Sequence, residues 1–503
     1  MKIYILILSL CLAYNIDVNA QQELEPTRFS SFALQFASPD INADPYSMMP
    51  SVAKAYGFGS YVDNPAAMAM IENSEFMFSF YRQDNSSSNF YLDTTEKSDE
   101  LNHKLGSIGI AYSIPSIRGS LVIGAGYNRM TSNTDRFRIS GRNNTSTITD
   151  SFLDTESKFF DLAFDTYATD WGDVEQTYLE SIFRIGFEPG NFPGINQEVE
   201  VLSETYAGEY TAFLATEFRK DLFMGISASY FYGESRYREN FLESDTPNNY
   251  DGDFIEGSDI ADILVNDTFD TEIRGYNFRA GLVYKIGHGL SAGVSYQLPA
   301  VFRMSERNNY SIQTSLDDNS LPFFSKIESD GAFRYRIKRP GILKAGLAYD
   351  NSRFSFSIST EYADYQNLSY DLLTDREART TNRDIWQEKE MVINNSLKDN
   401  YNAVIDILVG AEAYVTEKIT LKAGYAFMPE RYKLQPRTVN QLSAGFSYKI
   451  LDYLRLDVNG QYQQSEKQTI LYEYVDFDNE AQSSVFDSEV QRIRVIVALK
   501  LLF

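Results

Sequence analysis

The last fifteen residues of the chain alternate between two chemistries. Phe503, Leu501, Leu499, Val497, Val495 and Ile493 fall on one face of an extended chain; Leu502, Lys500, Ala498, Ile496, Arg494 and Arg492 fall on the other. A period of two is that of a β-strand. One wholly apolar face opposite a mixed, charged face suits a strand between lipid and a wet interior. The alternation recurs upstream, where Leu454, Leu456, Val458 and Tyr462 oppose Arg455, Asp457, Asn459, Gln461 and Gln463. Phe354, Phe356, Ile358 and Tyr362 likewise oppose Ser355, Ser357, Ser359 and Glu361. The pattern predicts strands over 75–83, 105–114, 118–130, 206–219, 221–236, 272–286, 289–304, 331–350, 352–367, 402–416, 418–429, 438–450, 452–466 and 489–503. These fourteen strands are an even number, as single-chain bacterial barrels require.

The connections alternate in length. Short ones fall at Pro115–Ile117, Lys220, Gly287-His288, Asn351, Glu417 and Leu451, and longer ones at 84–104, 131–205, 237–271, 305–330, 368–401, 430–437 and 467–488. Tight turns on the periplasmic side and longer loops outside are the habit of outer-membrane barrels. The fold class expected is therefore all-β, a transmembrane antiparallel β-barrel over residues 75–503 with one large extracellular loop, 131–205.

The N-terminus agrees with export. Lys2 precedes an apolar run from Ile3 to Leu12, and Val18-Asn19-Ala20 has the small-residue pattern of a signal-peptide cleavage site. Residues 1–20 read as the signal and Gln21 as the first mature residue. Cys11, the only cysteine, lies inside that signal, which excludes disulfides and thiolate metal sites from the mature chain. No later apolar run approaches the ~20 residues of a membrane helix. Tyr and Phe number 35 each, which suits aromatic girdles at two membrane interfaces.

Charge and candidate chemistry narrow the function. A net charge of −25 disfavours nucleic acid. Thirteen acidic residues between Asp150 and Glu204, against Lys158 and Arg184, read as solvation of an exposed loop. Of the 2 histidines, His288 lies in a tight turn and His103 at a strand entrance, away from any triad or metal cluster. No serine nucleophile elbow or glycine-rich phosphate loop is present, so the expectation is no catalysis, no metal and no cofactor.

Residues 21–74 carry Pro26, Pro39, Pro45, Pro50 and Pro65 and do not read as strands. A segment this short cannot bury a good core alone, and the barrel interior supplies the missing burial. Within it, Gly57 and Gly59, a short spacer and Asn64-Pro65-Ala66 stand directly ahead of the first strand. This segment resembles the hatch of the FadL/TodX family of outer-membrane transporters for long-chain fatty acids and other hydrophobic compounds. Gly126-Tyr127-Asn128-Arg129 at the end of the third strand is also similar to the family. The glycine stretch here is poorer than is usual there.

The resemblance implies a fourteen-stranded barrel plugged by residues 21–74, passing a hydrophobic small molecule passively from an outer groove to a lumenal site and out sideways through the wall. For the groove the candidates are Phe159, Phe160, Phe164, Tyr167, Tyr178 and Phe183, with two short amphipathic helices expected around Phe159–Tyr167 and Val174–Phe183. For a carboxylate in the lumen they are Arg334, Arg336, Lys338, Lys344, Arg492 and Arg494, all expected to point inward. For the lateral opening they are Gly119, Gly124 and Gly126, since glycine in a strand marks kinks and bulges. The expected partners are a fatty acid or similar ligand, outer-membrane lipids and the barrel-assembly machinery, around a monomer. The alternative is a non-transporting barrel that serves as a partner subunit in a secretion or surface-attachment complex.

Overall fold

Fourteen antiparallel strands close into a ring in the computed structural model. It describes residues 49–115, 119–155, 157–185, 192–245, 258–318, 323–329, 333–372, 383–433, 438–476 and 480–503. The expected signal 1–20, residues 21–48 of the expected hatch and residues 116–118 of the first short turn lie outside that set. The strands are β1 (Glu75–Tyr91), β2 (Thr94–Ile114), β3 (Leu121–Asn143), β4 (Ile195–Arg219), β5 (Leu222–Ser244) and β6 (Ile260–Gly287). Next come β7 in two pieces (Leu290–Gln297, Ala300–Leu316), β8 in three (Phe324–Ser329, Phe333–Arg339, Ile342–Asp350) and β9 in two (Phe354–Asp364, Ser369–Asp371). They end with β10 (Ala403–Tyr414), β11 (Ile419–Met428), β12 (Val439–Leu451), β13 (Leu454–Val475) and β14 (Ala481–Leu502).

Each strand pairs with its sequence neighbour, and β14 returns to β1 from Glu75↔Leu502 to Phe90↔Asp487. Ser74 and Phe503 lock the seam by exchanging both backbone hydrogen bonds, at 3.1 and 3.0 Å. The alternation that predicted β14 is the alternation observed: Ile493, Val495, Val497, Leu499 and Leu501 are exposed, and Arg492, Arg494, Ile496, Ala498 and Lys500 are buried.

The outward faces form an apolar band. On β6 it runs Tyr276, Phe278, Leu282, Tyr284 and Ile286, all exposed. At ~3.3 Å per residue on a tilted strand, this spans the roughly 25 Å of a membrane-facing belt. Its outer rim is a row of tyrosines directly opposite one another: Tyr127↔Tyr210 on β3 and β4, then Tyr210↔Tyr230 and Tyr230↔Tyr276 on β5 and β6.

The strands run well past that rim. β3 and β4 stay paired to Asn143↔Ile195, so the large loop is 144–194 rather than 131–205. The first outside connection is the two-residue turn Leu92-Asp93 instead of 84–104. Beyond lipid the outward residues turn polar, so the apolar outward row that marks a membrane strand stops while the hydrogen-bond ladder continues. Above the rim the inward-facing Phe137, Ile139, Val199, Val201, Phe241 and Ile263 meet Phe152, Leu162 and Phe183 of the loop in one apolar cluster. The largest loop thus packs into the outer mouth. Among the described residues of the outer connections two helices are seen: α1 (Phe160–Asp165) in that loop, and α2 (Arg383–Asn400) before β10. α2 buries Ile393 and Leu397 in a cluster with Tyr370, Leu372 and Tyr401.

Candidate functional site

Residues 49–74 lie within the periplasmic half of the ring as two 3-10 turns, Phe58–Val62 and Pro65–Met70. Asn64 joins them and does two jobs. Its Oδ1 accepts from the Ala66 amide at 2.9 Å, capping the turn that Pro65 starts. Its Nδ2 donates to the Val52 carbonyl at 2.7 Å and to Leu282 on β6 at 3.1 Å. Asn64 therefore both caps the turn and joins the segment to the wall. The first turn is held by Ser60, whose hydroxyl accepts from the amides of Tyr56 (2.9 Å) and Gly57 (3.3 Å). Gly57 has φ 173°, a backbone any residue adopts, and Gly59 is buried inside the turn.

The wall makes room with glycines that the sequence reading passed over. A Cβ on Gly281 would fall 1.9 Å from Asn64 Oδ1, one on Gly293 2.0 Å from the Val52 carbonyl oxygen, and one on Gly225 2.4 Å from the Ala66 nitrogen. These residues form cross-strand pairs, Gly225↔Gly281 and Gly293↔Gly346. Across the ring Gly109↔Gly126 form another, against which the Phe58 ring rests. The signal available in sequence was glycine at inward positions of adjacent strands at one height.

Gly124 and Gly126 have the same explanation, since their missing side chains leave space for Phe213 and Phe58. Phe213 in turn stacks on Tyr61 at 5.5 Å. Gly119 lies before β3, with φ +72°, in the short connection rather than within the strand.

Three of the expected lumenal cations are engaged. Lys344 bridges Asp63 (2.9 Å) and Glu361 (2.8 Å), and Lys54 reaches Asp350 at 3.0 Å, so both fasten residues 49–74 to the wall. Arg494 donates to Gln83 at 2.8 Å and covers the Tyr81 ring. Arg492 donates to Asn85 at 3.1 Å and lies 3.7 Å from Asp135. Deeper in the wall Arg279 and Glu209 pair at 3.0 Å, both wholly enclosed.

Arg334, Arg336 and Lys338 do not join them. Tyr335 and Ile337 are buried, opposite Met304 and Phe302, and Phe302 packs on the inward Phe231 at 5.0 Å. The three cations therefore face outward, contrary to the expectation. The cause is a fault line across the wall. Gln297↔Ile342 and Ala300↔Arg339 are both inward pairs, with only Leu298-Pro299 and Pro340-Gly341 between them. An odd number of steps separates two inward positions, which turns each strand over. Proline has no amide for the ladder, so the break falls there. The 3-10 turn Tyr365–Asn367 continues it in β9. Lys344, below the fault, points inward as expected; the residues above it are reversed.

A second irregularity lies between β2 and β3. Their ladder ends at Ser107↔Asn128, and β3 bulges between Arg129 and Thr131 against β4. Beyond the bulge, the carbonyls of Ser132, Thr134, Arg136 and Arg138 accept from the inward side chains of Gln83, Asn85, Ser87 and Asn89 on β1. The outer half of β3 is thus drawn off β2 and onto the inner face of β1. On the membrane face beside this parting is an apolar groove of about 850 Å³. Ala125, Ala212 and Ala228 form its floor, and Ile108, Tyr127, Tyr210 and Tyr276 stand among its walls.

The outer-loop aromatics divide into packing and exposed sets. Phe183 is fully buried, and Phe159 packs on Phe152 (4.8 Å) and Tyr310 (5.5 Å), with Phe160 half-buried at the start of α1. Phe164, Tyr167 and Tyr178 are exposed, with Tyr167 against Phe324 at 4.8 Å. The second expected helix is a small ribbon, Thr169–Trp171 with Leu179–Ser181. Asp173 takes the Thr177 amide at 2.7 Å and Gln176 adopts φ +55°, which makes a turn where a helix would have continued. Asp150 and Arg184 pin the loop with two hydrogen bonds of 2.7 and 2.6 Å. Burial pushes the Asp150 carboxyl up, against the pull of Arg184.

No family model matches this chain, and no curated protein matches its sequence. Solved structures do. The Pseudomonas putida toluene transporter TodX superposes with a TM-score of 0.54 at 11% identity, covering 91% of this chain and 97% of that one. The chain has the TodX fold. A Pseudomonas aeruginosa FadL homologue (TM-score 0.46, 12% identity, 93% and 98% covered) and the Ralstonia pickettii toluene transporter TbuX (0.45, 12%, 91% and 97%) are also similar. With a TodX-like ring, an apolar outer band and an aromatic rim, the chain is a bacterial outer-membrane barrel.

Proposed function

We propose that this barrel passes hydrophobic small molecules passively across the outer membrane, with residues 21–74 as its hatch and a lateral exit between β2 and β3. The observation that carries the reading is the parting of those strands above Ser107↔Asn128, beside an apolar groove on the membrane face. An apolar solute leaving there enters lipid without crossing water. The TodX fold supports the reading, since that protein is described as a toluene transporter. Long-chain fatty acids belong to the same ligand class. Uncharged hydrophobes fit the interior better, because Lys344, Arg492 and Arg494 already have internal partners and Arg334, Arg336 and Lys338 face away.

Filling the groove tests the exit. Ala212→Trp places an indole on the groove floor, facing lipid, where it removes no internal contact. Uptake of a radiolabelled monoaromatic by cells expressing the variant is expected to fall about tenfold, a barrier of ~1.4 kcal/mol, with barrel abundance unchanged. Unchanged uptake would mean that solute leaves elsewhere. The partner-subunit reading draws on the exposed Phe164, Tyr167, Val174 and Tyr178 of the outer loop. It requires that hydrophobe uptake be the same with and without the protein.

A further inference from the structure

The reversal of β8 has a consequence on the outer surface. Arg274 on β6, Arg303 on β7 and Arg336 on β8 are directly opposed, Arg274↔Arg303 and Arg303↔Arg336, on the outward face. Three like charges in register across adjacent strands repel one another and destabilise a sheet that has nothing else to place between them. Arg334 and Lys338 flank the row on β8, and Arg307 stands exposed further out on β7. The nearby acids offset only part of this charge. Glu272 pairs with Arg274, Asp371 lies 3.6 Å from Arg336, and Asp270 and Glu234 lie 3.7 and 3.6 Å from Arg236. Arg303, in the middle, has no ion-pair partner among the described residues and is exposed. This concentration of cations stands on a chain whose net charge is −25.

Height decides what the row meets. Arg274 is the next outward residue after Tyr276 in the tyrosine rim, and Arg303 follows Val301 in the same way on β7. The row therefore stands one step above the apolar band, at the level of lipid head groups. With strands ~4.8 Å apart, three arginines span about 10 Å. That width suits the clustered phosphates of one head group, each held by the planar two-pronged donor set of a guanidinium.

We propose that Arg274, Arg303 and Arg336 form a binding site for the phosphorylated head group of an outer-leaflet glycolipid of the lipid A type. Its acyl chains lie along the band below, over Tyr276, Val301 and Leu343, and the phosphates relieve the repulsion along the row. Basic clusters at a membrane surface bind anionic lipid with about a fivefold gain for each cation engaged.

The test uses the full-length protein purified in detergent, titrated in native mass spectrometry with bisphosphorylated lipid A and, separately, with its dephosphorylated form. The wild type is expected to retain one lipid A and to bind the dephosphorylated lipid at least about tenfold more weakly. Arg303→Gln should weaken lipid A binding about fivefold, and the triple change R274Q/R303Q/R336Q about a hundredfold. Arg82 on β1 is an outward arginine paired with Asp84, with His103 and Val495 opposite, and R82Q should leave binding unchanged. Equal affinity for the two lipids, or equal losses for R82Q and R303Q, would overturn the proposal. Should the triple variant fail to fold, R303Q against R82Q decides it alone.

Discussion

Replacing Gly293 by valine is expected to lift residues 49–74 off the wall and raise the ionic conductance of the barrel. The obstruction is backbone on both sides. A Cβ at Gly293 would sit 2.0 Å from the Val52 oxygen, 2.7 Å from its carbonyl carbon and 3.0 Å from Ala53 Cα. The wall cannot yield, since Gly293 is held between Val283 and Gly346 in a continuous ladder. The segment must move instead. That movement breaks the Asn64–Leu282 hydrogen bond of 3.1 Å and the Ser291–Ala53 bond of 2.9 Å. Overpacking costs about 1–3 kcal/mol and each lost internal bond about 1 kcal/mol. Together roughly 3–5 kcal/mol act against docking, enough to change its population by two orders of magnitude or more. Planar-bilayer recordings should show long openings in Gly293→Val and few in the wild type. Gly460→Ala is the control, because its nearest neighbour, the Ala444 carbonyl oxygen, is 3.7 Å away. Identical traces for all three proteins would mean that the segment is not wedged against β7.

The same contact shows what sequence could and could not reveal. Asn64-Pro65-Ala66 stood out in the sequence because its signals are local: an Asx acceptor, then proline at what proves to be the first helical position. The surface it docks on was not. Gly225, Gly281, Gly293 and Gly346 lie far apart in sequence and become a platform only once strand register brings them together. Glycine at an inward strand position reads as weakness until something is known to press against it.

Strand faces were legible wherever lipid enforced them. In β14 an apolar outward row and a polar inward row could be assigned by eye, and the ladder agrees. In β8 the same reasoning gave the wrong face above Pro340-Gly341, because the outward row there has left the membrane and the inward row packs in an apolar cluster. Tyr335 and Ile337 bear apolar side chains for the interior and Arg334 and Arg336 bear charge for water, the reverse of the rule that holds lower down. A two-residue fault carries no hydrophobic signature of its own, and its prolines were the only local hint. Strand length was missed for a related reason: β1 to β6 continue beyond the tyrosine rim, where no lipid imposes a period. The parting of β2 and β3 was least legible, since it depends on Gln83, Asn85, Ser87 and Asn89 satisfying carbonyls two strands away. Polar side chains replace a neighbouring strand there, and the backbone groups are still satisfied.

Arg279→Met is expected to be the most destabilising single change in the barrel wall, by about 3–5 kcal/mol. Glu209 is fully enclosed, and Arg279 meets it twice, at 3.0 and 3.2 Å, while Asn277 adds a hydrogen bond at 3.1 Å. Methionine fills much of the same space but leaves a carboxylate in an enclosed site with Asn277 as its remaining close donor. The double change E209Q/R279M removes both charges while keeping shape and the Asn277 contact. It should therefore regain more than half of the loss, a coupling of about 2 kcal/mol or more. The readout is the temperature at which the folded band converts to the unfolded one in electrophoresis, supported by urea midpoints. Equal losses for the single and double variants would assign the effect to packing instead of charge. The result also bears on ligand choice: with Arg279 and Glu209 matched to each other, neither is left over to attract or repel a carboxylate. The single variant, with one uncompensated anion, should discriminate more strongly against acids than against uncharged hydrophobes.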